Sequence, residues 1–217
     1  PANGEDIYQE KCLPCHGENG LGNGPQANQL PNPVPPLGDP DVARAASPAG
    51  WYNIVTNGNI ERFMPPFKSL SDRQRWDVVA YLYTLSVNEE TLTTGQAVFS
   101  ETCAECHGDR GQGSSNSEAR VFIDQSQMAF KSHNSLFENF TSIEEHTEMQ
   151  KITDLEIHDA LDYIRRLTFT QTESIAAAKT PETEPTQAEG ESIQSTPETS
   201  SGEEIPLDIP EGKVTIE

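Results

Sequence analysis

Two Cys-x-x-Cys-His segments constrain this 217-residue chain more than any other feature of its sequence. They comprise Cys12, Cys15 and His16 in the first copy, and Cys103, Cys106 and His107 in the second. The match extends over residues 4–17 and 95–108, which align without gaps at an offset of 91 positions. A duplication of this length indicates that the two halves of the chain share one structural design.

A second pair of matched segments follows, residues 70–82 and 152–164, at an offset of 82 positions. Each opens with a hydroxyl residue followed three positions later by Gln or Glu, the pattern of a helix capping box. Apolar residues then recur at the i, i+3, i+4, i+7 spacing of one buried helix face. Each unit is therefore predicted to contain a short helix, a ligand-bearing loop and a longer closing helix. The capping pairs are Ser71 with Gln74 and Thr153 with Glu156.

The Cys-x-x-Cys-His spacing is typical of c-type haem attachment. Two thiols three positions apart can form thioethers to the two vinyl groups of one haem, while the adjacent histidine ligates the iron. A zinc ribbon would need its two knuckles ~15–20 residues apart, whereas Cys15 and Cys103 are separated by 88 positions. A thioredoxin-type motif would need a βαβ setting, and two disulfides remain as a further alternative. Two copies that both include the histidine favour haem attachment.

With these motifs, residues from about 4 to 169 resemble two fused class I cytochrome c domains, as found in many bacterial exported cytochromes. The resemblance implies an all-α fold of two tandem cytochrome c-like helical domains with two covalently attached haem c groups. In that family the haem lies between the first and last helices of each domain. These helices are expected to cross near Tyr8 and Tyr81 in the first unit, and near Phe99 and Tyr163 in the second.

The sixth iron ligand of the first unit is predicted to be Met64. The segment Met64-Pro-Pro-Phe67 resembles the distal Met-Pro motif of the family. Its two prolines disfavour helix, so the thioether can point at the iron from a loop. The alternative is a methionine that fills the core. The resemblance also implies that a carbonyl near Pro36 accepts the N–H of the proximal histidine, and we assign this role to Pro36.

The second unit departs from the family pattern at its sixth ligand. The offset that aligns the closing helices maps Met64 onto His146, with no proline after it. Met149, three residues later, is the competing candidate, and a vacant or water-filled position is the third. We favour His146, because the flanking alignment has no gap and imidazole is the stronger iron ligand. His158 matches Trp76 on the closing helix and is expected to pack or to contact the haem edge rather than to ligate iron.

The remaining composition sets the domain boundaries. We expect domain 1 at residues 1–88, domain 2 at residues 89–170, and an acidic, Pro/Glu/Thr/Ser-rich tail at residues 171–217. The tail is predicted to be disordered, with a short acidic helix over 173–179 as the alternative. Alternating apolar residues at Val214 and Ile216 suggest a strand that begins as the chain stops, as in a fragment of a longer protein.

Charge and chemistry together favour an electron-transfer protein. The formal net charge of -21 argues against a nucleic-acid partner, and no apolar run approaches the ~18–20 residues of a membrane span. The expected partner is a basic redox protein such as a cytochrome, a cupredoxin or an oxidoreductase subunit. Haem attachment implies a periplasmic or other extracytoplasmic location, as a free carrier or as an electron-entry module tethered through the tail. The alternative is a diheme peroxidase-like oxidoreductase with catalysis at the second haem.

Overall fold

The computed structural model describes residues 2–115, 121–144, 146 and 151–177. These residues belong to one compact unit that extends over residues 1–180. They are mostly helical and form no strand, apart from an isolated antiparallel bridge between Asn59 and Met64. No helix in this described part of the chain is long and apolar enough to cross a membrane. The all-α class predicted from the sequence is therefore confirmed.

Domain 1 contains five α-helices and two short 3-10 turns among its described residues. Its first helix and its last helix are the two elements predicted from the repeat, and shorter helices fill the interval between them. The helices are α1 (Ala2–Lys11), α2 (Leu13–His16), α3 (Pro40–Ala45), α4 (Pro48–Asn57) and α5 (Asp72–Thr84), with the 3-10 turns at Ala27–Gln29 and Ile60–Arg62.

Domain 2 repeats this order, with a π-helical turn, Phe99–Cys103, between its first two helices. The last helix of domain 2 continues well past residue 170, where the sequence predicted the start of a disordered tail. Residues 171–177 are helical and include part of the 173–179 segment that the sequence allowed as a short helix, and residues 178–217 lie outside the described residues. The helices are α6 (Glu89–Val98), α7 (Ala104–His107), α8 (Gln125–Met128), α9 (His133–Ser142) and α10 (Asp154–Ala177).

Both predicted capping boxes are present at the starts of the closing helices. The N–H of Gln74 donates to Ser71 Oγ at 3.2 Å, and the N–H of Ser71 donates to Gln74 Oε1 at 2.9 Å. At the second box, the N–H of Glu156 donates to Thr153 Oγ1 at 3.3 Å, and Glu156 Oε2 accepts from the N–H of Thr153 at 2.7 Å. Each box satisfies two backbone donors that a helix start leaves free.

The first and last helices of each domain cross where the family resemblance implied. The rings of Tyr8 and Tyr81 lie 5.2 Å apart between α1 and α5, and those of Phe99 and Tyr163 lie 5.6 Å apart between the first and last elements of domain 2. Each crossing has a glycine at its closest point. In domain 2 this is Gly95, where a Cβ would overlap the backbone of α10. Gly4 has the same role against α5.

The two domains pack against each other around a pair of equivalent contacts. The Tyr83 hydroxyl donates to the carbonyl of Ala46 at 3.0 Å, and Arg165 Nη1 donates to the carbonyl of Met128 at 3.2 Å. An offset of 82 positions relates these two pairs. The Arg165 guanidinium also lies over the Tyr83 ring, 5.3 Å from its centre. A buried cation is thereby held between an aromatic face and backbone carbonyls.

Candidate functional site: two Cys-x-x-Cys-His turns

The first Cys-x-x-Cys-His segment forms a single tight turn at the end of α1. The N–H of His16 donates to the Cys12 carbonyl at 2.9 Å, and the N–H of Gly17 donates to the Leu13 carbonyl at 2.8 Å. Both thiols are free rather than joined in a disulfide, and burial raises the pKa of the Cys12 thiol to about 12. The turn thus presents two free thiols and one imidazole together.

His16 has an imidazole nitrogen in need of a partner. Its Nδ1 is buried and makes no hydrogen bond of ordinary geometry, although the carbonyl of Pro35 lies close enough to act on the ring. Burial lowers the pKa of the His16 ring, while the facing carbonyl of Pro35 raises it in part. Pro35 directly precedes Pro36, the residue to which the sequence analysis assigned the accepting carbonyl. The neutral imidazole is the form that binds a metal ion.

A glycine-rich loop wraps the first turn from the other side. The fully buried Tyr8 donates its hydroxyl to the Gly17 carbonyl at 2.7 Å, and the N–H of Gly22 donates to the His16 carbonyl at 2.7 Å. Gly24 lies so close to the turn that any Cβ there would overlap the carbonyls of Leu13 and Pro14. The position of His16 is therefore fixed by packing on all sides of its backbone.

Met64 lies in a loop just ahead of α5, as the prolines after it predict. Its N–H donates to the carbonyl of Asn59 at 2.9 Å, and its carbonyl accepts from the N–H of Asn59 at 2.8 Å. Phe63 adopts the left-handed conformation at φ 61°, which turns the chain between these two hydrogen bonds. The Met64 side chain is half-buried. The backbone around the predicted ligand is thus held out of helix by reciprocal hydrogen bonds.

The second Cys-x-x-Cys-His turn repeats these features in a more buried setting. The Gly113 N–H donates to the His107 carbonyl at 2.7 Å, which matches the bond from Gly22 to His16. Burial raises the pKa of the Cys103 thiol to about 11, and the His107 side chain is itself buried. The ring of Phe122 stacks on that of His107 at 4.3 Å. Phe122 stands where domain 1 has its proline-rich segment, since its N–H bonds Gly111 as that of Gly38 bonds Gly20.

His146 lies beside His107, with the ring centroids 6.3 Å apart. Two imidazoles on opposite sides of one metal ion have centroids about 6 Å apart, because each metal–nitrogen bond is ~2.0 Å and the ring centre lies about 1.1 Å further out. His146 Nδ1 lies 3.1 Å from the Phe140 carbonyl, and the two rings stack at 4.5 Å. Nδ1 must donate in that contact, which leaves Nε2 as the free lone pair of a metal ligand. Met149, the alternative, lies outside the described residues.

The sequence analysis did not identify Phe122 and Phe140, whose rings stack on His107 and His146. Phe122 lies in the apolar run Val121-Phe-Ile123, a weak signal for a buried loop segment. Phe140 lies seven positions after His133 on α9, a spacing that places both on one helix face. His133 and His158 hydrogen-bond to each other through Nε2 and Nδ1 at 2.8 Å. His158 therefore packs within the protein, as its match to Trp76 predicted.

The donor atoms at both turns are those that a c-type haem requires. Each turn joins two free thiols to one imidazole, and the second domain adds a facing imidazole in the metal-binding tautomer. Helices that cross over a Cys-x-x-Cys-His turn, twice in one chain, define a c-type cytochrome with two tandem cytochrome c domains.

Comparison with known proteins identifies the family more closely. The sequence model of the family described as "Cytochrome C oxidase, cbb3-type, subunit III" matches residues 1–82 and 90–164. The chain belongs to this family, and membership implies covalently bound haem c.

Two individual proteins are also similar. The chain is 27% identical over 117 residues to "Cbb3-type cytochrome c oxidase subunit CcoP" of Cereibacter sphaeroides, a match that covers 51% of this chain and 40% of that protein. It thus spans less than half the length of that relative. A solved chain titled "Kuenenia stuttgartiensis reducing HAO-like protein complex Kustc0457/Kustc0458" is 20% identical with a TM-score of 0.34, covering 77% of this chain and 96% of that one. A TM-score this low carries no weight for fold or function.

Proposed function

We propose that the chain holds two covalently attached haem c groups and exchanges single electrons between redox partners outside the cytoplasm. The observation that carries the proposal is the facing pair His107 and His146, since two protein ligands leave no substrate position on the second iron. Bound haem supplies reversible one-electron chemistry at its iron. The residues that would hold the groups are Cys12, Cys15, His16 and Met64 in domain 1, and Cys103, Cys106, His107 and His146 in domain 2.

The protein residues keep each iron ligand ready to bind. Burial favours the neutral form of His16, and the contact with the Phe140 carbonyl fixes the tautomer of His146. Stacking of Phe122 and Phe140 limits rotation of the two domain 2 rings. Ligands that are already oriented need little rearrangement when an electron arrives, which favours rapid outer-sphere transfer over substrate chemistry. The peroxidase-like alternative would need an iron position that opens.

The two ligand sets imply an order for the electrons. A Met/His haem has a higher potential than a bis-His haem. The proposed His107/His146 site is therefore the low-potential site, and electrons would pass from it to the His16/Met64 site in domain 1. Domain boundaries near residues 88 and 170 would place one complete site in each domain.

Charge indicates the kind of partner. The formal net charge is -21, of which domain 1 carries only -3. An acidic surface attracts a basic partner electrostatically, and dissolved salt screens this attraction beyond ~8–10 Å. We therefore propose a basic cytochrome, cupredoxin or oxidoreductase subunit as the partner. This chain would reach that partner either as a free carrier or as a module tethered through its C-terminal segment. Association with such a partner should slow as ionic strength rises.

A single preparation tests the proposal. The full chain is expressed with a haem-attachment system and denatured, and its mass is measured alongside a redox titration of the native protein. We expect the mass of two haems that survive denaturation, and two one-electron steps. A mass with one haem or none, or bound zinc, contradicts the proposal.

A further inference from the structure

A chain of polar side chains crosses the interface between the two domains. The buried His133 lies with Nδ1 3.0 Å from Asp162 Oδ1, and its Nε2 is 2.8 Å from Nδ1 of His158. The other carboxylate oxygen of Asp162 lies 3.5 Å from Arg44, which belongs to α3 in domain 1. The order is thus His158, His133, Asp162, Arg44. None of these four residues has a place in the proposed haem sites.

The hydrogen bonds fix how many protons the two histidines can hold. A carboxylate only accepts, so His133 donates from Nδ1 and its Nε2 accepts from Nδ1 of an uncharged His158. One further proton can bind at Nε2 of His158 with every hydrogen bond kept. A second proton would bring two N–H groups together across 2.8 Å. The pair formed by His133 and His158 is therefore a site for one proton.

One face of α9 connects this pair to the second iron site. His133, Phe137 and Phe140 occupy positions i, i+4 and i+7 of the helix. Phe137 stacks on His158 at 4.6 Å, and Phe140 stacks on His146 at 4.5 Å. A charge gained at either end acts on the other through packed protein rather than water, where electrostatic coupling is stronger.

The surroundings of the pair disfavour its extra proton, so the pair is uncharged before the second haem is reduced. Burial lowers the pKa of His158, Arg44 and His133 add to this effect, and Asp162 and Asp154 oppose it. Burial also raises the pKa of the neighbouring Asp159 carboxyl. The groups that face the pair are Arg44 from α3, Tyr83 from α5, and Asp154, Asp162 and Arg165 from α10.

We propose that His133 and His158 form a redox-linked proton site, at which uptake of one electron by the second haem draws up to one proton from solvent. Reoxidation releases both. The inference rests on the proposed function, because it takes the second haem to lie between His107 and His146. The electron comes from the single-electron donor that reduces the protein. By reciprocity the bound proton strengthens electron binding, so the second potential falls as pH rises.

Domain 1 provides an internal control for this proposal. The chain has five histidines, and the three outside the pair are the proposed iron ligands. At the positions that match His133 and His158, domain 1 has Trp51 and Trp76, which do not titrate. The first haem should therefore show little dependence on pH between pH 5 and 8, the range in which histidine exchanges its proton.

The test measures both potentials of the full haem-loaded chain by spectroelectrochemistry from pH 5 to 8, with proton uptake on reduction followed by an indicator dye. We expect the second potential to fall by up to 59 mV per pH unit, the value for one proton per electron, and the first to stay nearly flat. The double variant His133→Phe/His158→Phe, which removes both titratable rings, should abolish the slope and the uptake. The matched control is Glu138→Gln, which removes an exposed charge from α9 and should change neither.

Two results would overturn the proposal. One is a second potential no more pH-dependent than the first, and the other is a His133→Phe/His158→Phe variant that retains the slope. Should that variant fail to fold, histidine NMR of the reduced unmodified protein decides: uptake of one proton by the two rings supports the site, whereas none or two overturns it. Failure of the proposed function is recognised separately, by a mass with fewer than two haems.

Discussion

The imidazole rings of His107 and His146 lie 6.3 Å apart although the residues are 39 positions apart in the chain. His107 comes from the turn that follows the first helix of domain 2, whereas His146 follows α9. A phenylalanine stacks on each ring, Phe122 on the first and Phe140 on the second. The pair is thus positioned by packing from two separate parts of the domain, at a separation that suits one metal ion between them.

Replacing His146 tests whether this ring closes the second iron. His146→Ala should open that haem to carbon monoxide or cyanide, because it removes the imidazole that faces His107, and the first haem should stay closed. Absorption spectra with each added ligand measure the effect.

Met149→Ala is the matched control for His146→Ala, and it should leave both haems closed. The opposite pair of results would make Met149 the ligand. Rapid binding by the unmodified protein would favour the peroxidase-like function instead.

The first site has a different signature. Met64→Ala should remove the weak far-red band of sulfur bound to ferric iron and lower the potential of one haem only, because the thioether stabilises the reduced state. Visible and near-infrared spectra with a redox titration measure both changes. If both potentials stay unchanged, Met64 is a packing residue.

The Tyr8 hydroxyl should stabilise the first turn independently of the iron chemistry. Tyr8→Phe removes a buried hydrogen bond to the Gly17 carbonyl, which also accepts from Gly20, so the loss should be about 1 kcal/mol. Denaturant unfolding of the haem-loaded chain gives the value. Tyr81→Phe, in the ring that packs against Tyr8, is the control and should cost less, because that ring is only partly buried.

The close crossing of α6 and α10 should not tolerate a side chain at Gly95. A Cβ there meets the backbone of Asp159, and overpacking of this kind costs roughly 1–3 kcal/mol. We expect Gly95→Ala to lower the free energy of unfolding by that amount. Gln96→Ala, on the exposed side of the same helix, should change it little, and equal effects of the two would contradict the role of Gly95.

The sequence alone determined the features that depend on short spacings. Two thiols and an imidazole within five residues share one turn wherever they lie, and a capping box such as Ser71 with Gln74 involves only the first helical turn. The repeat also marked Gly4 and Gly95 as equivalent, because a helix crossing fixes the same position in both copies. The fold class and the tandem domains were implied by the family resemblance that these local patterns carry.

The tertiary structure decided what depends on loops and on long separations. The carbonyl of Pro35 acts on the His16 ring, a contact that depends on the path of a loop around a buried ring rather than on spacing, and the role of Pro36 stays a prediction. Composition left open whether the residues after 170 are disordered or briefly helical, and α10 continues to Ala177, since extending an existing helix costs less than starting one. His133 and His158 meet only because α9 packs on α10. Contacts between distant segments have no local signal, so only the folded chain brings such partners together.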